Sequence, residues 1–249
     1  MVNPDAGSVN ADLVTRLRKA LPAWRYLEYD KKLRLADVLA APGRVVVAGG
    51  DGAVGRVARQ LLHSRNSLGI IPVGTANNFA HSLGIPTDIG AAIDFMKSGR
   101  PRPVSIGTVN GKPFLEAAMV GLFGEILKIG QAVEDRDLGD LMKWVDAAID
   151  SPRFEYTLSG SLQGHGVARS LIFANTPRIG TRVQVAYGTP RDAYLELRAG
   201  DAAFQFNRVR LRTKPRVRVF ADTRPAGQTP ASIEVDVGAL RVVLGPPRR

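Results

Sequence analysis

The sequence predicts an α/β chain in two parts: a parallel sheet covered by helices over residues 1–103, then a β-rich antiparallel sandwich over 104–249. Three observations carry this expectation. Short, wholly apolar strands alternate with amphipathic helical stripes through the first hundred residues. Glycine-rich turns join strand to helix at two places, and beyond Pro103 most of the apolar segments alternate with period two.

Asn10 is placed to cap a helix from Ala11, where Leu13, Val14, Leu17 and Leu21 form one stripe that Pro22 ends. RVVVA (44–48) reads as a buried strand. The turn GGDGA follows, then a helix with Val54, Val57, Ala58, Leu61 and Leu62 on one face. LGIIPV (68–73) repeats the arrangement, leading through GTANN to a short helix over 80–83. Ile89, Ala92, Ile93 and Met96 mark one more helix. Strands and helices in this order give a parallel sheet with right-handed crossovers.

After residue 103, VSIGTV and KPFLEAAM flank Asn110 and Gly111, the residue pair of a tight hairpin turn. Helices are expected over 123–133 and 138–149. A succession of strands follows, and the last, ALRVVL, is one that can return to the sheet of the first part. In NRVRLRTKPRVRVF, Arg208, Arg210, Arg212, Arg216 and Arg218 alternate with aliphatic residues, which places the arginines on one face of a hairpin. A solvated sheet face explains this stripe, and so does a surface for anionic lipid headgroups.

With 34 basic and 23 acidic residues the formal net charge is +11, so an anionic partner is expected: a phosphorylated small molecule, a nucleic acid or an acidic membrane surface. No nucleic-acid recognition motif is present, and no specific nucleic-acid partner is expected. The chain has no cysteine, which removes disulfides and thiolate chemistry. His63, His81 and His165 are too far apart for a local ligand motif. No apolar run reaches the roughly 20 residues of a membrane span. The opening residues do not form a signal peptide, so a cytoplasmic protein with room for peripheral membrane contact is the expectation.

Gly49, Gly50, Asp51 and Gly52 lie between a predicted parallel strand and a helix, where backbone N–H groups and the helix terminus favour a phosphate. Asp51 is the unusual member. A carboxylate beside phosphates implies metal or base chemistry, and a plain glycine turn with an N-capping Asp explains it equally well. Gly74, Thr75 and Asn77 hold the same position one strand later, where a hydroxyl and an amide can meet a ribose, a phosphate or a water. Taken alone this too reads as a helix cap, with Asn77 or Asn78 as the capping residue. Together the two turns converge on one crevice at the carboxyl ends of the strands. Asn3, with Pro4 and Gly7, is a candidate third wall and also an ordinary turn former.

These residues resemble the diacylglycerol kinase catalytic domain family, which includes bacterial lipid kinases and sphingosine kinases and is related in fold to NAD kinases. The resemblance rests on Asn3, Pro4 and Gly7, on VVVAGGDG, and on LGIIPVGTANNFAHSLGIP. Weaker similarity continues through VNGKPFLEAAMVGLFGEIL, the Asn175 region and GALRVVLGP. It implies a Rossmann-like, NAD kinase-like first domain, and ATP and Mg²⁺ as cofactors. A lipid hydroxyl such as that of diacylglycerol would accept the γ-phosphoryl group. Carried over position by position, nucleotide contacts fall on Asn3, Gly49, Gly50, Asp51, Gly52, Ala53, Val54, Gly74, Thr75 and Asn77. Asp51 is the catalytic candidate and Asp192 the metal candidate.

Departures from the family pattern define a second reading. Ala53, Gly55 and Arg56 stand where threonine, asparagine and glutamate are usual; Asn78 stands where aspartate is usual, a change also common among members of the family. Arg191, Asp192, Ala193 and Tyr194 replace an Asp, Asp, Gly, Leu run. Asp222, Thr223 and Arg224 replace the Asp, Gly, Glu triplet whose glutamate would be the general base, and an arginine accepts no proton. The alternative is therefore a catalytically impaired member that binds nucleotide or lipid in a regulatory role.

Overall fold

The computed structural model describes residues 11–27, 32, 34–37, 39, 41–122, 152–180, 183–199 and 202–245. The turn at Asn3 and the helices expected over 123–133 and 138–149 lie outside these residues. Helix α1 (Ala11–Ala20) precedes β1 (Arg44–Gly49), α2 (Asp51–Leu61), β2 (Ser67–Pro72), α3 (Asn78–Ser82) and α4 (Ile89–Ser98). Next come β3 (Arg100–Val109), β4 (Lys112–Phe114) and β5 (Ala117–Gly121). The remaining strands are β6 (Phe154–Gly160), β7 (Gly164–Ala168), β8 (Ser170–Ala174), β9 (Arg178–Ile179), β10 (Val183–Gln184), β11 (Leu195–Ala199), β12 (Ala202–Phe206), β13 (Arg208–Lys214), β14 (Arg218–Ala221), β15 (Arg224–Gln228) and β16 (Ala231–Leu244).

The expected parallel pairing is present: β1 lies parallel to β2, and β2 lies parallel to β16 at Leu68 and Val242. The sheet is mixed, however, running β1, β2, β16, β13, β6, β7, with β3 also paired to β16 and β4. Because β1 and β2 are covered on both faces, they are apolar after their first residues, Arg44 and Ser67. Val45, Val47, Leu68 and Ile70 meet Val54, Val57 and Leu61 of α2 on one side. Val46, Ala48 and Ile71 meet Leu13 and Leu17 of α1 and Met96 of α4 on the other. The second sheet runs β12, β11, β8, β5, β14, β15. It packs on the antiparallel part of the first through Val109, Phe173, Leu197, Phe206, Val219 and Ile233, forming the sandwich.

Three local readings change. The helix expected after GGDGA begins inside the motif at Asp51, with Gly50 as its N-cap. KPFLEAAM is two strands, β4 and β5, separated at Leu115 and Glu116. The arginine stripe is not a hairpin. Strand β13 pairs with β6 and β16 in the first sheet, whereas β14 pairs with β5 and β15 in the second. The chain crosses between sheets around Pro215, which separates Arg210 and Arg212 from Arg218. By contrast the Asn110 and Gly111 turn forms as expected, both residues having positive φ (50° and 72°) between β3 and β4.

Candidate active site

The two glycine turns touch. A Cβ on Gly50 would lie 3.1 Å from the Gly74 Cα, and one on Gly74 would overlap the Gly50 Cα. Only glycines permit this approach of backbones at the ends of adjacent parallel strands. Asn77 shapes the second turn from within. It sits in the left-handed region (φ 50°, ψ 39°), which asparagine tolerates better than most residues, and its amide accepts from Gly74 N at 3.0 Å and donates to Gly74 O at 2.5 Å. That amide is therefore committed to the loop.

Asp51 joins the two turns. Its carboxylate accepts the backbone N–H groups of Asn78 at 3.0 Å and Phe79 at 3.2 Å, so it caps α3 rather than its own helix. Helix α2 begins on Gly50 without a side-chain cap. The capping role expected of Asn77 or Asn78 thus falls to a residue 27 positions earlier.

The side chain of Asn78 points across to the bend between β4 and β5, donating through Nδ2 to Glu116 Oε2 at 2.8 Å. Glu116 is held by its backbone as well. Its N–H donates to Asp222 at 2.9 Å, and its carbonyl accepts from Asn175 N at 2.8 Å and Thr176 N at 3.2 Å. Asp222 opens the two-residue turn between β14 and β15 with φ 53°, also accepts Leu115 N at 3.1 Å, and faces Arg59 of α2 at 3.7 Å. These bonds explain the break between β4 and β5: a carboxylate takes the N–H groups that a sheet partner would otherwise receive.

Three carboxyl groups from three elements therefore face one another. Burial raises the pKa of Asp51, against the two N–H donors that lower it, and the Asp222 charge raises it further. Burial, then repulsion from Asp51 and Asp222, holds Glu116 well above the usual carboxylate range. Asp222 is also raised by burial, with the Glu116 N–H and Arg59 opposing the shift.

Beside this cluster lies a cleft of ≈ 520 Å³ between α3 and the β9–β10 segment, with Thr75, Asn78, His81 and Arg178 among its lining. Thr75 is exposed there, and Gly52 faces open space, a Cβ there meeting nothing within 4 Å. Gly49 ends β1 and is buried. Ala53 and Val54 turn their side chains into the core beneath α2. Asn3 lies outside the described residues. Asp192 accepts from Thr189 N at 2.7 Å and Thr189 Oγ1 at 3.2 Å, closing a local turn. Among the described residues no three acidic or histidine side chains share a metal position. Arg224 donates through Nη2 to Pro113 O at 2.5 Å, with its Nε buried.

Residues 1–109 match the family model described as the diacylglycerol kinase catalytic domain. The first 109 residues belong to the diacylglycerol kinase catalytic domain family. Over 85 residues, 33% of this chain and 28% of the relative, the sequence is 46% identical to a diacylglycerol kinase of Bacillus subtilis. Over 84 residues it is 39% identical to a diacylglycerol kinase of Staphylococcus saprophyticus, again across 28% of that protein. The matched stretch thus spans under a third of these curated relatives.

Likeness of fold reaches further. A diacylglycerol kinase from Bacillus anthracis superposes with a TM-score of 0.77 at 20% identity, covering 98% of this chain and 95% of that one. An NAD kinase from Archaeoglobus fulgidus, solved with ATP, gives a TM-score of 0.53 at 12% identity, covering 98% of this chain and 92% of that one. The kinase-family domain supplies both glycine turns, while Glu116 and Asp222 come from the chain beyond it. Glu116 is the residue that sequence reasoning missed. LEAAM reads as one strand, and the cause of its interruption lies 106 residues away.

Proposed function

We propose that this protein transfers the γ-phosphoryl group of ATP to a hydroxyl of a diacylglycerol-like lipid. The contact between Gly50 and Gly74 carries the reading. It sets the α2 amino terminus, where Gly52 is exposed, beside the turn that carries the exposed Thr75, and Thr75 and Asn78 line a cleft able to receive a second substrate. In this reading Gly50, Asp51, Gly52 and Thr75 line the phosphate path. Gly49, Ala53, Val54, Gly74 and Asn77 shape it through their backbones, and Asn3 is the candidate outer wall.

Asp51 acts by locking the two turns together and orienting α3 toward the cleft. Among the described residues no cluster of acidic or histidine side chains joins Asp192, which does not fit a metal held by the protein alone, so Mg²⁺ is assigned to the nucleotide phosphates. An anionic membrane is the proposed docking partner of the exposed Arg210, Arg212 and Lys214 face, delivering the lipid without a specific nucleic-acid interaction.

The test is transfer of radiolabelled γ-phosphate to diacylglycerol in mixed micelles, with sphingosine as a second acceptor. Labelled lipid supports the proposal. One observation favours the second reading, an impaired nucleotide- or lipid-binding member: the Arg224 guanidinium is engaged with Pro113 where a carboxylate base is expected. Saturable ATP binding without labelled lipid would select it.

A further inference from the structure

We propose that Glu116 is the catalytic base, accepting the proton of the lipid hydroxyl in place of the carboxylate absent at Arg224. This rests on the phosphotransfer reading. Three geometric facts carry it. Glu116 lies in the bend between β4 and β5 and meets the nucleotide half through Asn78, the residue that also lines the cleft. Its backbone is fixed on both sides, by Asp222 at the N–H and by Asn175 and Thr176 at the carbonyl, so the carboxyl group is pre-organised. Arg224 is held against Pro113 by a hydrogen bond, so its guanidinium leaves the proton-accepting role to another group.

The hydroxyl O–H bond breaks, its proton passes to a Glu116 carboxylate oxygen, and the oxygen forms a bond to the γ-phosphorus. The bond from that phosphorus to the β,γ-bridging oxygen breaks, and the electron pair leaves with ADP. Water later removes the proton from Glu116.

Around the carboxyl group stand Asp51 of α2 and Asp222 of the β14–β15 turn, which disfavour its charge, and the Asn78 amide, which favours it. Arg59 and Arg224 act on Asp222, and His81 acts on Asp51. Burial and the two neighbouring carboxylates make Glu116 a stronger base than an exposed glutamate, active once it has lost its proton. Activity should therefore rise with pH along a limb set by Glu116.

The experiment measures kcat and kcat/KM against pH for the full chain with ATP and diacylglycerol micelles, in wild type, Glu116→Gln, Glu116→Asp and His81→Gln, with ATP affinity by calorimetry. Expected is a ~100 to 10,000-fold fall in kcat for Glu116→Gln, with ATP affinity within about twofold of wild type and the pH limb gone. Glu116→Asp should keep a limb at shifted pH. Should Glu116→Gln fail to fold, Glu116→Asp decides: a shifted limb supports the assignment and an unmoved one overturns it. Wild-type kcat in Glu116→Gln, or a limb lost only in His81→Gln, overturns it while leaving phosphotransfer standing. Wild type that binds ATP yet labels no lipid overturns both.

Discussion

At Gly74 a single hydrogen atom separates a closed site from an open one. Adding a methyl group would force the second turn off Gly50, and overpacking of this kind costs about 1 to 3 kcal/mol. Gly74→Ala should therefore lower the melting temperature and weaken ATP binding together. Gly52→Ala, whose methyl meets open space, should leave the melting temperature unchanged. Calorimetry and thermal melts on the pair check this contrast. The carboxyl cluster makes a second residue-level prediction. The folded pKa values of Asp51, Glu116 and Asp222 are all raised, so between the ordinary carboxylate range and those values the folded chain holds more protons than the unfolded one. Stability from these groups is present below about pH 4 and is lost as pH rises through the folded values. Glu116→Gln cannot ionise, so it should melt above wild type at about pH 8 and with it at about pH 4. Equal melting at both pH values would show that Glu116 carries no such penalty.

At the scale of elements, the α/β half was legible because its signals are local. Apolar strands of five or six residues, helical stripes and glycine turns each declare themselves within a dozen positions, and β1, α2, β2 and α4 form within a few residues of where the pattern places them. The Asn110 and Gly111 hairpin was legible for the same reason. What was not legible depends on distant partners. Asp51 caps a helix 27 residues on, Asp222 breaks a strand more than 100 residues back, and β13 finds β6 and β16 instead of β14. Period-two alternation gives the face of a strand but not its neighbour. The division of the arginines has a measurable consequence. Arg210→Glu with Arg212→Glu should weaken sedimentation with acidic liposomes, each cation contributing about 1 kcal/mol near such a surface, while Arg218→Glu on the other sheet has a smaller effect. Equal losses from both changes would mean that β13 has no special role in docking.

For the whole molecule the decisive element is β16. Its first part lies in the sandwich core through Ala231 and Ile233. Its last part lies beneath α2 through Leu240, Val242 and Leu244, where it also meets β2. One strand so shared should couple the two cores. Ile233→Ala and Leu240→Ala should each lower a single common unfolding transition by about 2 to 5 kcal/mol, and two separate transitions would show independent units. That coupling also holds Glu116 opposite the glycine turns, so the site depends on both halves. Whether the Gly50 and Gly74 turns form a nucleotide site is decided by ATP titration into wild type and Gly52→Val. A saturable one-to-one isotherm in wild type, lost in a variant that melts normally, is the predicted result; equal affinity in the two proteins would contradict it.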